Sequence, residues 1–328
     1  MELSNISITG LIVLVIACLL VIALMVVNAI VMVYAERKGA GFIQRRPGPY
    51  EVGPWGILQP VVDSMKLLGK QIFVPANVDF FLFFAAPVLA FFPVLLLFLP
   101  IPFGPNLTAL KVPDGIVLIL AFAGFGLLAN LLAGYASNNK YGVLGAGRAV
   151  CQGVAYEIPM ILALLAVVFQ TGSMNLSEIV EAQGAWPWSW NILCQPLAFF
   201  IYLVTLVAET NRAPFDLPEG ESELTAGFHT EYSGMGFALF FLAEYANMLL
   251  VSFVCATFFL GGYKGPILDG FWWTFIKAYL VMCFIVWIRW TFPRVRFDQL
   301  LNVNWKWLLP LSILNLWITA VVVNFIGG

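Results

Sequence analysis

Residues 11–34 read LIVLVIACLLVIALMVVNAIVMVY, a run without one charge. At about 1.5 Å per residue a helix over this run rises about 36 Å, enough to cross a hydrocarbon layer of about 30 Å. Comparable apolar runs lie near 80–101, 115–136, 156–172, 191–208, 235–261, 272–290 and 307–326. With 61% hydrophobic and 10% charged residues over 328 positions, the composition excludes a soluble domain. The expected fold is an all-α polytopic membrane protein, a single transmembrane domain over 1–328 with about eight transmembrane helices. The first run lacks a basic amino-terminal region and a small-residue cleavage site, so it reads as a mature helix rather than a signal peptide.

An eight-span chain places both ends on one side, and the cations orient it. The odd-numbered connections hold Arg37, Lys38, Arg45, Arg46, Lys66, Lys70, Lys140, Arg148, Arg212, Arg289, Arg294, Arg296 and Lys306, whereas the even-numbered ones hold Lys111 and Lys264. The loops 35–79, 137–155, 209–234 and 290–306 are therefore expected on the cytoplasmic side, and both termini on the outer side.

Several function classes fall away. Five cysteines, at 18, 151, 194, 255 and 283, never approach a CxxC spacing, which argues against iron–sulfur and zinc sites and reads as buried small hydrophobes. One histidine, His229, rules out a bis-histidine haem within the chain. A net charge of −2 and no Gly-rich phosphate loop give no sign of nucleic acid or nucleotide.

The connections carry the chemistry. In 35–71 the glycines and prolines from Gly39 to Pro54 predict a tightly turned segment after the first helix, with Glu36, Arg37 and Lys38 at the lipid boundary. Near 55–70, Leu58, Val61, Val62, Met65 and Leu68 recur at helical spacing while Asp63, Lys66 and Lys70 fall elsewhere, the pattern of an amphipathic surface helix. Such a helix either meets anionic lipid or walls a doorway open to the bilayer. Glu157, at the start of the 156–172 run, either caps a helix amino terminus or joins an internal chain of acids.

The stretch 208–245 holds seven of the eighteen carboxylates: Glu209, Asp216, Glu219, Glu221, Glu223, Glu231 and Glu244, the last inside an apolar run. Charge at bilayer depth is read first as a proton or ion relay. At an effective dielectric near 20, two like charges about 6 Å apart repel by roughly 3 kcal/mol, so such a row titrates as a set. The alternative is a solvated acidic loop paired with Arg212. In the last inner loop, Arg294, Arg296 and Asp298 serve either as a membrane anchor or to dock a soluble partner.

Seven motifs then stand together: AERK at 35–38, QRRPGP at 44–49, KYGVLGAGR at 140–148, YEIP at 156–159, AETNRAPFDLPEGESEL at 208–224, FHTEYSGM at 228–235 and FPRVRFDQL at 292–300. Across essentially its whole length the chain resembles the H-subunit family of bacterial NADH:quinone oxidoreductase, respiratory complex I, equivalent to mitochondrial NADH dehydrogenase subunit 1. The resemblance implies a subunit of the bacterial cytoplasmic (inner) membrane, joining a hydrophilic electron-transfer arm to an antiporter-like membrane arm. Its inner loops would form part of a chamber for quinone, the substrate.

On that resemblance Glu36, Arg37, Asp63, Phe241 and Tyr245 correspond to quinone-chamber positions. Glu157, Glu209, Asp216, Glu219, Glu221, Glu223, Glu231 and Glu244 correspond to proton coupling, and Gln44, Arg45, Arg148, Arg212, Arg294, Arg296 and Asp298 to partner docking. It implies no bound metal or covalent cofactor; NADH, flavin and iron–sulfur clusters would reside in partner subunits. The partners implied are the hydrophilic-arm quinone-site and iron–sulfur subunits, small and antiporter-like membrane subunits, and lipid. Two other readings stay open: the equivalent subunit of an energy-converting hydrogenase, or of a complex with a donor other than NADH, and a stand-alone proton-coupled transporter. The transporter would show inverted repeats with broken helices, and the two halves show no convincing repeat.

Overall fold

A computed structural model describes residues 8–105, 107–218 and 220–326. Among the described residues thirteen α-helices account for the architecture, and the only β-pairing there is an isolated bridge between Gly104 and Leu107. Seven helical segments among the described residues are long and apolar enough to cross a membrane. They are α1 (Ile8–Ile43), α3 (Phe80–Leu97), α4 (Gly115–Ala136), α5 (Lys140–Thr171), α10 (Gly234–Phe259), α11 (Phe271–Thr291) and a composite of α12 (Phe297–Val303) and α13 (Leu309–Ile326). The surface helix is α2 (Gln59–Gly69), preceded by a 3-10 turn at Pro54–Gly56.

The run at 191–208 differs from the expected full span. It forms α7 (Asn191–Cys194) and the 14-residue α8 (Pro196–Glu209), with α6 (Leu176–Ala182) just before them. At about 1.5 Å per residue α8 rises only about 21 Å. It is tolerated at membrane depth because it packs against α5, with Ile201, Tyr202 and Thr205 to Ala208 buried.

α5 and α10 are the most enclosed spans, with 61% of each apolar window buried. α5 packs on α4, α8 and α13; α10 packs on α1, α3 and α11. α5 begins at Lys140, not near 156. Asn139 is its cap, its side-chain oxygen accepting from the Tyr141 N–H at 3.0 Å. Its first half escapes an apolar-run reading because small residues there face protein rather than lipid. A Cβ on Gly145 would lie 2.7 Å from Gly227 Cα, so only glycine allows this approach. α1 likewise runs on through Glu36, Arg37 and Lys38 to Ile43, and stops in a Schellman turn. The Arg46 N–H donates to Gly41 O at 2.8 Å and the Arg45 N–H to Phe42 O at 3.3 Å, with Arg45 at φ 56° and Pro47 following.

A proline inside a helix leaves a carbonyl without its usual donor, and at two of the three in α3 and α5 a side chain from elsewhere supplies one. Pro159 frees Ala155 O, to which Asn304 donates at 2.6 Å from the π-helical turn Asn304–Leu308 linking α12 to α13. Pro87 frees Phe83 O, to which the Tyr232 hydroxyl donates at 3.1 Å. Of the cysteines, Cys255 is buried, Cys18 partly so, and Cys151, Cys194 and Cys283 are exposed, all with free thiols. The expectation that all five are buried is corrected, since on a membrane span a small apolar side chain is equally accommodated by lipid.

Candidate functional site

Three helices that meet far apart in sequence bring charge together. Glu36, on the last turns of α1, is buried, with a side chain 7% exposed. Its Oε2 accepts from the Tyr245 hydroxyl of α10 at 2.6 Å and from Arg289 Nη1 of α11 at 2.7 Å. Arg212, just after α8, places Nε 4.0 Å from Glu36 Oε1 and Nη2 3.8 Å from Glu244 Oε2, with its guanidinium 4.7 Å from the centre of the Tyr245 ring. A buried carboxylate between two arginines and a phenol is the arrangement that keeps a charge inside a protein. These groups line a cavity of about 380 Å³ whose apolar side is Phe237, Phe240 and Phe241. Phe241 sits 5.0 Å from the Tyr245 ring and 5.7 Å from Phe237.

Arg37, one residue from Glu36, also lines this cavity and forms an ion pair with Asp63 of α2, fastening the surface helix to α1. Partial burial raises the Asp63 pKa, and the hydrogen bond and charge of Arg37 outweigh it, so Asp63 titrates below the ordinary carboxylate range. Glu36, Arg37, Phe241 and Tyr245 therefore share one cavity, with Asp63 bonded to its rim.

The acids expected to act as a row separate into groups. Glu244 faces Arg212. Glu209, at the end of α8, receives a side-chain hydrogen bond from Asn247 and feels Glu157 as a like charge. Glu157 lies in the middle of α5, so it joins an internal group of acids rather than capping a helix. Glu209, Glu244, Asn211, Asn247 and Asn130 line a second cavity of about 70 Å³ beside the first. Glu223, on the short α9 (Glu221–Leu224), is exposed and pairs with Arg148 at 2.6 Å. That hydrogen bond and charge hold its pKa below the usual range. Glu231 accepts from Asn139 Nδ2 at 2.6 Å and lines a separate cleft with Asn138 and Lys140. Asp216 is partly buried. Glu219 and the side chain of Glu221 lie outside the described residues.

A sequence profile described as NADH dehydrogenase matches residues 15–320. The chain belongs to the NADH dehydrogenase family. A relative from Desulfotalea psychrophila, named as the H subunit of NADH-quinone oxidoreductase, is 50% identical over 315 residues, covering 93% of this chain and 95% of its own. Relatives of the same name from Dehalococcoides mccartyi and Carboxydothermus hydrogenoformans are 48% and 46% identical, covering 90% and 92% of this chain and 82% and 86% of their own.

In this NADH dehydrogenase family chain the residues expected at a docking face divide. Gln44, Arg45, Arg296 and Asp298 are exposed, and Arg148 is partly buried against Glu223. Arg294 lies beside Gly220 and attracts Glu223, while the Val295 N–H donates to Pro214 O at 3.1 Å, so the 292–296 segment is tied to the acidic loop. Arg212 is the exception: its side chain is 4% exposed and turns inward to Glu36 and Glu244. Three cavity or scaffold groups are not singled out by sequence. Arg289 reads there only as an inner cation. Asn247 carries a readable signal, an amide within an apolar span, whereas Gln152 stands ahead of the apolar run at 156 and carries none. Gln152 Nε2 donates to Ala208 O at 2.8 Å and Phe215 O at 2.9 Å, which fixes both sides of Arg212.

Proposed function

We propose that this chain is the membrane subunit of a proton-translocating NADH:quinone oxidoreductase, forming part of the quinone chamber and the tunnel that leads into it. The observation that carries the proposal is the 380 Å³ cavity with an aromatic side and a polar side built on Glu36. A quinone has an apolar tail and a two-carbonyl head, and this cavity offers each its counterpart. The names of the relatives favour NADH and quinone over a hydrogenase. On this reading NADH, flavin and iron–sulfur chemistry belong to partner subunits of a hydrophilic arm docked on the exposed cations, and the cation-rich end faces the cytoplasm; with the short α7 and α8 together making an eighth crossing, both termini lie on the other side.

Reduction to quinol adds two electrons and takes up two protons. Charge arriving beside Glu36 acts on Arg212, which faces Glu244 at the same time. At about 4 Å and an effective dielectric near 20, a unit charge shifts a neighbour by roughly 4 kcal/mol. Moving one charge against about 100 mV costs roughly 2.3 kcal/mol, so this interaction is large enough to bias Glu244 and, through Glu209 and Glu157, the acids beyond it.

The test is quinone turnover in membranes carrying Glu36→Gln or Arg37→Ala, with NADH oxidation by a water-soluble acceptor as control. Loss of quinone turnover with the control activity kept supports the chamber. Normal quinone turnover in both variants would remove it, and equal loss of both activities would mean failed assembly.

A further inference from the structure

The two cavities meet on α10. Among the described residues their linings have two members in common, Phe240 and Glu244. These stand four positions apart and so share one face of the helix. One is a hydrocarbon ring and the other a carboxylate. Phe240 is 3% exposed and meets two rings edge-on, Phe228 at 5.5 Å and 72° and Tyr232 at 5.0 Å and 76°. Tyr232 is itself fixed, stacked on Phe83 at 4.2 Å and bonded through its hydroxyl to the carbonyl that Pro87 leaves free. The Phe240 ring is thus braced from α3 rather than free to swing.

The smaller cavity, about 70 Å³ and edged by amides and carboxylates, has room and partners for a few waters, since one water needs only about 10–15 Å³. Water continuous between the cavities would let protons pass without any change in Glu244. We infer that Phe240 is a positioning residue that bars this water, leaving Glu244 as the crossing point between the quinone-side cavity and the acidic one. The inference rests on the proposed function for what the two cavities do, and its core test does not.

In the assembled complex in inverted membrane vesicles, the thiol introduced by Asn247→Cys reports access to the smaller cavity. Its labelling by aminoethyl methanethiosulfonate is followed by mass spectrometry of the chain, without turnover. Adding Phe240→Ala is expected to speed labelling about tenfold, a barrier lowered by roughly 1.4 kcal/mol. Phe240→Leu, which keeps most of the bulk, should leave the rate near that of the parent. An unchanged rate in Phe240→Ala overturns the inference, and if that variant fails to assemble, Phe240→Val is read the same way. With Asn247 intact, Phe240→Ala should pump fewer protons per electron transferred, whatever its rate of quinone turnover, and Phe240→Leu should restore the ratio. Faster labelling with a normal ratio also overturns the inference. Should Glu36→Gln and Arg37→Ala both prove harmless to quinone turnover, the proposed function fails, and the labelling rates still decide whether Phe240 is a barrier.

Discussion

At one end of α11 the buried Lys277 donates to the main-chain carbonyls of Gly262 and Lys264, at 2.9 and 2.7 Å; at the other, Arg289 donates to the Glu36 carboxylate at 2.7 Å. The pattern extends on both sides. Around Lys277, Lys264 donates to Glu181 O and Gln183 O, Gln183 to Thr257 O and Phe258 O, and Asn191 to Phe258 O, so each side chain closes a helix end or loop. Around Glu36, the partners are other ionisable side chains: Tyr245, Arg212, Arg289 and, beyond Arg212, Glu244. A carbonyl has a fixed dipole and no proton to exchange, so in the first arrangement only the donor lysines can change charge. The second has as many states as its groups have charges. Similar residue types therefore build a fastening at one end and a responsive site at the other.

The sharpest way to break this contrast is to empty one position at the responsive end. Glu36→Ala leaves the buried Arg212 and the partly buried Arg289 facing no carboxylate at that position, which costs about 3–5 kcal/mol. The expected outcome is a complex of low abundance on native gels with no inhibitor-sensitive quinone turnover. At the fastening end, Gln183→Leu deprives Thr257 O of its side-chain donor and the Asn191 N–H of its acceptor, at roughly 1–3 kcal/mol each, while Phe258 O keeps the Asn191 amide. Here the thermal midpoint of the membrane arm should fall, with turnover per assembled complex unchanged. A loss of turnover without a loss of stability would show that the Lys277 end is not merely a fastening.

Tyr232→Phe removes one hydroxyl from Phe83 O, and about 1 kcal/mol of stability should go with it. Hydrogen exchange in α3 around Pro87 is the measurement. The smallest effect concerns Arg37 and Asp63, whose side chains are 47% and 28% exposed. Because the folded pKa of Asp63 is lowered, the pair stabilises the fold fully above the unfolded carboxylate value of about 3.9. It is lost as pH falls through the lower folded value. The contribution is about 0.2–1 kcal/mol. A spin label at Ser64→Cys should report an immobile α2 from neutral pH down to about 5, and loosening only in acid below about 4.

The spans were legible because a helix facing lipid on most sides must be apolar on most sides. Where protein replaces lipid that signal fails, which is why α5 runs sixteen residues ahead of the apolar run at 156 and why sequence leaves Glu157 open between a cap and an internal acid. The surface helix showed itself through spacing, since one face meets lipid and the other water. That the chain carries buried acids was equally plain, Glu244 standing inside an apolar run. What each acid touches was not. Arg212 and Glu36 are 176 positions apart, and their approach depends on Gln152 pinning the backbone on either side of Arg212. A loop arginine reads as a surface cation until the amide that turns it inward is known.

Pro159 and Asn304 divide one task between two helices, and this constrains how the chain can change over generations. A descendant that regains an N–H at 159 has no further need of the amide at 304. One that loses Asn304 first is left with a bare carbonyl beside Tyr156. The same holds for Pro87 and Tyr232. In each pair the carbonyl stays bonded if the proline is replaced before its partner, and stands bare if the partner is lost first.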